Sequence, residues 1–207
     1  VIHAVILAAG QAVRFHGTMK QLLPLPDGDT LLSRTIRQVA ERGGRSYVAT
    51  WHPPIVEYCR FAGADVVVPS AYRWTVETML STMSVWHRDR TIILLGDVVY
   101  SRAVMDEIFH RSLRLGIWGN QAEVFALSFT SQYWIGIELG LRETIRLTEG
   151  GVEPGKLRSF YRHTFPTPFW IQVGDYTRDF DLPEHMRDFR REVLQTNRLD
   201  DRRASEQ

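Results

Sequence analysis

Short apolar runs alternate with helix-patterned segments up to about residue 115, and this alternation restricts the chain more than any other property. Residues 2–8 are an apolar run followed by Gly10, the pattern of a strand buried on both faces. A polar, glycine-containing loop leads to Lys20, residues 22–25 read as extended, and Pro26-Asp27-Gly28-Asp29 reads as a turn. Thr30 is placed to cap a helix over residues 31–42, with Leu32, Ile36 and Val39 at helical spacing. Further strands are expected over 47–51, 65–68 and 91–95, and helices over 55–61, 76–86 and 103–113. Strands joined through helices pair in parallel, so the pattern predicts an α/β fold: a mostly parallel, Rossmann-like central sheet with helices on both faces.

Beyond residue 115 the rhythm loosens. Strands are expected over 115–118, 124–129 and 169–173, and helices over 134–147 and 183–194, the last with Pro183 in its first turn. Residues 150–155, Gly-Gly-Val-Glu-Pro-Gly, read as a loop. We expect one domain over 1–196 followed by a charged tail over 197–207.

Composition narrows the partners. Lys and Arg number 25 against 24 Asp and Glu, a formal net charge of +1 that gives no sign of a nucleic-acid or polybasic membrane partner. A small-molecule partner is expected instead. The lone cysteine, Cys59, excludes an intrachain disulfide framework and fits a reducing compartment. No run approaches the roughly 20 apolar residues of a bilayer span, and residues 1–10 lack the basic flank of a signal sequence. The expectation is a soluble, cytoplasmic protein. Only Lys20 and Lys156 are lysines, so 23 of the 25 basic residues are arginines. A lysine kept in such a chain suggests a need for a compact point charge rather than a planar fork.

Four segments carry candidate chemistry. In the first, Leu7-Ala8-Ala9-Gly10-Gln11-Ala12-Val13-Arg14 leaves the first strand and continues to Met19-Lys20. Small residues at the carboxyl end of a strand let backbone amides approach phosphate oxygens, and Arg14 and Lys20 add positive charge. In the second, Leu94-Leu95-Gly96-Asp97 puts a carboxylate directly after a buried strand, suited to magnesium or to a turn. The third, Asp179-Phe180-Asp181-Leu182-Pro183-Glu184, supplies either further metal ligands or a helix N-cap. The fourth, Arg73-Trp74-Thr75-Val76-Glu77-Thr78, opens a helix; Glu77 serves either a base edge or solvent. The seven histidines show no metal-ligand spacing, and no nucleophile elbow is present.

The first segment resembles the Leu-Ala-Ala-Gly-x-Gly-x-Arg signature, with a following lysine, of the nucleotidyltransferases that share a GT-A-like fold. The likeness is to cytidylyl- and guanylyltransferases, including those acting on molybdenum cofactor, and to sugar-phosphate nucleotidylyltransferases. Ala12 stands at the second glycine of the signature and Met19 before the lysine, two departures.

The resemblance implies that Arg14 and Lys20 contact a triphosphate, that the backbone from Leu7 to Gln11 lines the nucleotide, and that Asp97 holds a catalytic Mg²⁺. It also implies that Asp181, with Asp179 in reserve, completes the metal site, that Glu77 and Thr78 lie beside base and ribose, and that Glu123 faces the acceptor. Lys156, after its glycine-rich loop, is a further candidate for the acceptor side. The part up to about residue 115 would then bind the nucleotide, and 116–196 the acceptor. The implied reaction transfers NMP from an NTP to a small phosphorylated acceptor, a sugar, polyol or amino-alcohol phosphate or a cofactor, with release of pyrophosphate. A glycosyltransferase of similar fold is the rival enzyme, although Asp97-Val98-Val99 lacks the second aspartate of its usual motif. A nucleotide-binding regulator is the rival without catalysis. Base preference, acceptor and oligomeric state stay open.

Overall fold

The computed structural model describes residues 1–10, 19–25, 28–120, 122–165, 170–175 and 177–179. Gln11, Ala12, Arg14 and Asp181, the helix expected over 183–194 and the tail lie outside the described residues.

The expected alternation forms: β1 (Ile2–Leu7), α1 (Leu31–Ala40), β2 (Arg45–Ala49), α2 (Pro53–Ala62), β3 (Asp65–Val67), α3 (Thr75–Leu80) and β4 (Arg90–Leu95) follow in order. Next come β5 (Val98–Val99), α4 (Arg102–His110), β6 (Leu115–Gly119), β7 (Val124–Phe129), α5 (Trp134–Glu149), α6 (Leu157–Thr164), β8 (Ile171–Gln172) and β9 (Arg178–Asp179). Thr30 caps α1 as its position predicts, accepting from the Ser33 amide while the Ser33 hydroxyl accepts from the Thr30 amide.

Among the described residues seven strands make one sheet in the order β3-β2-β1-β4-β7-β6-β8. β1, β2, β3 and β4 are parallel neighbours, β7 runs antiparallel between β4 and β6, and β8 is parallel to β6. The sheet is thus mostly parallel with one reversed strand. β6 and β7 form a hairpin whose tip lies at the same edge as the carboxyl ends of β1 and β4. Side chains of β1 alternate: Ala4 and Ile6 join α1, α2 and α4 in one core, and Val5 and Leu7 join α3, α5 and α6 in the other. Helices therefore cover both faces, and every strand of this central region is buried, as its apolar runs require.

Several boundaries differ from the sequence reading. The helix expected over 76–86 ends at Leu80, because the Ser81 and Thr82 hydroxyls turn back onto the Glu77 and Met79 carbonyls. A short 3₁₀ turn, Met83–Val85, follows. Leu22, expected to open an extended piece, instead closes a 3₁₀ turn over Lys20–Leu22, and Pro24 bridges Thr30. Helix α6 and the β5–β9 pair went unread, since both are short and flanked by glycine or charge.

Candidate active site

In this strand order the chain moves from β1 outward to β2 and β3, then returns to place β4 on the other side of β1. That reversal opens a crevice beyond the carboxyl ends of β1 and β4, the place where open α/β sheets bind ligands. Leu7 and Asp97 stand at its two walls. The walls are locked together by backbone: the Gly96 amide donates to the Leu7 carbonyl at 2.9 Å. A Cβ on Gly96 would lie 2.8 Å from that same oxygen, so only glycine permits the approach.

Lys20, at the start of its 3₁₀ turn, reaches across the crevice to Asp97, with Nζ 2.8 Å from Oδ2. The lysine is 12% exposed and the aspartate 29%, so the pair faces the opening while its stems are covered. These residues stand 77 positions apart in sequence and meet because the sheet sets β1 beside β4.

The loop leaving β1 is held from below. The Ala8 amide donates to Ala49 at the end of β2. The indole N–H of Trp51 donates to the Ala9 carbonyl at 3.1 Å, and His52 Nε2 lies 3.0 Å from the Gly10 carbonyl. A carbonyl oxygen only accepts, so Nε2 carries the hydrogen. Leu7, Ala8 and Ala9 are buried, whereas Gly10 is exposed with open space where a side chain would stand.

Tyr100 supports the opposite wall. Its hydroxyl, fully buried, accepts from the Leu95 amide at 2.8 Å and donates to the Phe125 carbonyl at 2.7 Å. It sits where the ladder between β4 and β7 ends, past the Leu94–Ala126 pair, and bridges the gap as the strands separate. Burial pushes its phenol well above its ordinary range, with the Asp97 charge adding to the shift. It is a neutral strut.

β9 approaches the same wall. It pairs antiparallel with β5, Val98 opposite Asp179 and Val99 opposite Arg178, so the chain in β9 advances toward Asp97. The Ser101 hydroxyl donates to Asp175, and the Ser101 amide donates to the Thr177 hydroxyl at 2.9 Å. Three links thus fasten the late segment beside Asp97. Among the described residues no three histidine, cysteine or acidic side chains converge on one point. A single carboxylate completed by substrate phosphates is a donor set that magnesium accepts, and Asp97 at the crevice rim fits it.

The other candidates fall into two groups. Glu77 and Thr78 lie on α3, whose Val76 and Met79 pack with Leu7. The Glu77 carboxylate is buried and accepts from the Arg73 amide, Nε and Nη2 at 2.8, 3.0 and 2.5 Å. Arg73 also reaches Glu149 and lies over the Trp74 ring. Thr78 donates to the Trp74 carbonyl. Glu123 and Lys156 meet each other, with Nζ 2.6 Å from Oε1, and Arg158 donates to the adjoining Ala122 carbonyl. Glu123 stands three positions before Ala126 and Asp97 three after Leu94, its cross-strand partner, so both overhang one edge of the sheet. Trp51, His52 and Tyr100 were passed over in the sequence. Their signal was present: hydrogen-bonding rings directly after apolar runs, where a strand's carboxyl end meets a loop.

A family model described as the MobA-like NTP transferase domain matches residues 4–150, well over half of the chain. The chain belongs to that family. It is a nucleotidyltransferase, and the matched span contains both walls of the crevice. No curated protein matches it closely enough to count as a relative. Solved structures share its fold at low identity. A nucleotidyl transferase from Methanothermobacter thermautotroptrophicus is 18% identical with a TM-score of 0.68, covering 94% of this chain and 98% of that one. A CTP:phosphocholine cytidylyltransferase from Streptococcus pneumoniae is 12% identical with a TM-score of 0.66, covering 93% and 99%. A protein described as a glucose-1-phosphate thymidylyltransferase from Bacillus anthracis is 11% identical with a TM-score of 0.64, covering 92% and 94%.

Proposed function

We propose that this MobA-like nucleotidyltransferase transfers NMP from an NTP to a small phosphorylated acceptor and releases pyrophosphate. The acceptor class is a sugar, polyol or amino-alcohol phosphate, with a phosphorylated cofactor behind it. The observation that carries the reading is the Lys20–Asp97 pair at the mouth of the β1–β4 crevice. It puts an ammonium and a carboxylate where a polyphosphate and its cation would both be met. The fold shared with a phosphocholine cytidylyltransferase supports the acceptor class.

In the proposed reaction an acceptor phosphate oxygen attacks the α-phosphorus in line. The bond from that phosphorus to the bridging oxygen breaks, and the electron pair leaves with pyrophosphate. A phosphate acceptor is already ionised near neutral pH, so no general base is needed. The protein's task is positioning and charge stabilisation. The backbone from Leu7 through Gln11 lines the nucleotide, Arg14 and Lys20 neutralise the departing pyrophosphate, and Glu77 and Thr78 border base and ribose. Asp97 would hold Mg²⁺, with Asp181 or Asp179 completing the ligands. A bound Mg²⁺ supplies charge stabilisation to the phosphate oxygens. Glu123 and Lys156, already paired at the same edge, would meet the acceptor.

A thermal-shift comparison of ATP, CTP, GTP and UTP, each with and without Mg²⁺, tests the donor site. A ligand that binds the native state alone raises its stability by mass action. One triphosphate stabilising the protein, and only with Mg²⁺, is expected; pyrophosphate release is then assayed over phosphorylated acceptors. No response to any triphosphate would overturn the reading.

A further inference from the structure

The carbonyls of Ala9 and Gly10 are consecutive, and their donors, Trp51 and His52, are consecutive too, 42 positions further along in each case. The match follows from register. β1 and β2 are parallel with Leu7 opposite Ala49, so the two chains leave the sheet side by side. Beyond the last ladder pair each chain has backbone groups to satisfy, and here ring N–H groups of one chain serve the other.

The donors are themselves held. The Trp51 ring packs against His52, at 4.1 Å between centroids, and stacks with Tyr72 at 5.0 Å, two contacts that orient the indole. His52 is buried, its amide donates to the Thr50 hydroxyl, and it caps α2, where Pro53 fixes the next backbone angle. The start of the loop, Ala9 and Gly10, is therefore gripped on one side, and Gly10 is exposed with nothing among the described residues near its missing Cβ. In a planar trans peptide the N–H points opposite to the preceding C=O. Holding the Ala9 carbonyl toward Trp51 turns the Gly10 amide away from it.

We propose that Trp51 and His52 are positioning residues for the donor nucleotide: by clamping the Ala9 and Gly10 carbonyls they fix the backbone where the chain leaves β1 and aim the Gly10 amide at the polyphosphate. The inference rests on the donor-site reading given above. It assigns these side chains no contact with the base, although Trp51 and Tyr72 are both aromatic and partly exposed.

The test uses the full chain and two probes, each with Mg²⁺: the triphosphate that stabilises the wild type most, and inorganic tripolyphosphate. Trp51→Phe removes the N–H and keeps a ring, His52→Phe does the same, and His52→Gln returns an N–H donor. Loss of one net hydrogen bond's worth of preorganisation weakens binding about three- to ten-fold. Trp51→Phe and His52→Phe should each weaken both probes by that factor, and His52→Gln should restore most of the loss. Melting temperatures without ligand separate this from a general loss of stability, and if His52→Phe fails to fold, Trp51→Phe decides alone. Unchanged affinity for both probes would overturn the clamp and leave the donor site standing. Weaker triphosphate binding with intact tripolyphosphate binding would also overturn it, by showing that the rings read the base. A wild type that binds neither probe would remove the clamp and the donor-site reading together.

Discussion

Lys20 and Asp97 bring opposite charges within 2.8 Å at a rim where both side chains are largely covered but still face the opening. Their value lies in chemistry, which makes them separable from folding. Asp97→Ala should abolish Mg²⁺-dependent pyrophosphate release while circular dichroism and melting temperature stay close to wild type. Lys20→Arg should also fail in the same assay, because a planar fork does not replace a point charge in a crowded phosphate site; near-normal turnover would argue against direct phosphate contact. Two other residues set an alkaline limit. Burial raises the Cys59 thiol from its ordinary 9.0 to about 11, and Tyr100 is raised well above its ordinary 10.0. Both groups are neutral when protonated and both folded values exceed the unfolded ones. The Cys59 contribution is therefore complete below pH 9.0 and lost as pH climbs toward about 11, and the Tyr100 contribution is complete below its ordinary 10.0 and falls away above it. Melting temperature should fall across that window, and Cys59→Ala should flatten part of the fall.

Among elements, α4 is capped at its start by the Ser101 hydroxyl, which accepts from the Val104 amide, and fastened at its carboxyl end by an arginine. The Arg90 guanidinium, at the start of β4, donates to the carbonyls of Ile108, Phe109 and Arg111 and to the Ser128 hydroxyl. Burial lowers its pKa, yet these carbonyls at a helix C-terminus favour the cation. Arg90→Met should cost about 2–3 kcal/mol in urea unfolding, since several acceptors lose a charged donor at once. Gly96→Ala should be felt at the crevice instead: the added methyl meets the Leu7 carbonyl at 2.8 Å, so the β1 and β4 ends must part. Lower triphosphate affinity with a modest loss in melting temperature is the expected result. The elements also show where sequence suffices. β1, β4 and α1 were legible because burial on two faces and helical spacing write themselves into the side chains. The reversed direction of β7 was not, because a buried strand has the same composition whichever way it runs. Asp97 was legible from its place after β4. Its contact with Lys20, like the Trp51 and His52 contacts with the loop, depended on register, which no single segment encodes.

For the whole molecule, the sheet crosses residue 115 without a break, since β7, from the later part, pairs directly with β4. We therefore expect the parts before and after that position to unfold as one unit. Tryptophan fluorescence and far-ultraviolet circular dichroism should give coincident denaturation curves, and two separate transitions would count against a single domain. The reversed strand has another outcome. Because β7 opposes its neighbours, the turn between β6 and β7 hangs over the edge that carries Gly10 and Asp97, yet no crossover passes through it. Asn120 closes that turn by accepting from the Ala122 and Glu123 amides. Residues can be gained, lost or exchanged there, shifting the Glu123–Lys156 pair, while β1 and β4 keep their register. A change at the hairpin tip would thus move the Glu123–Lys156 pair while the strands that carry Leu7 and Asp97 keep their places.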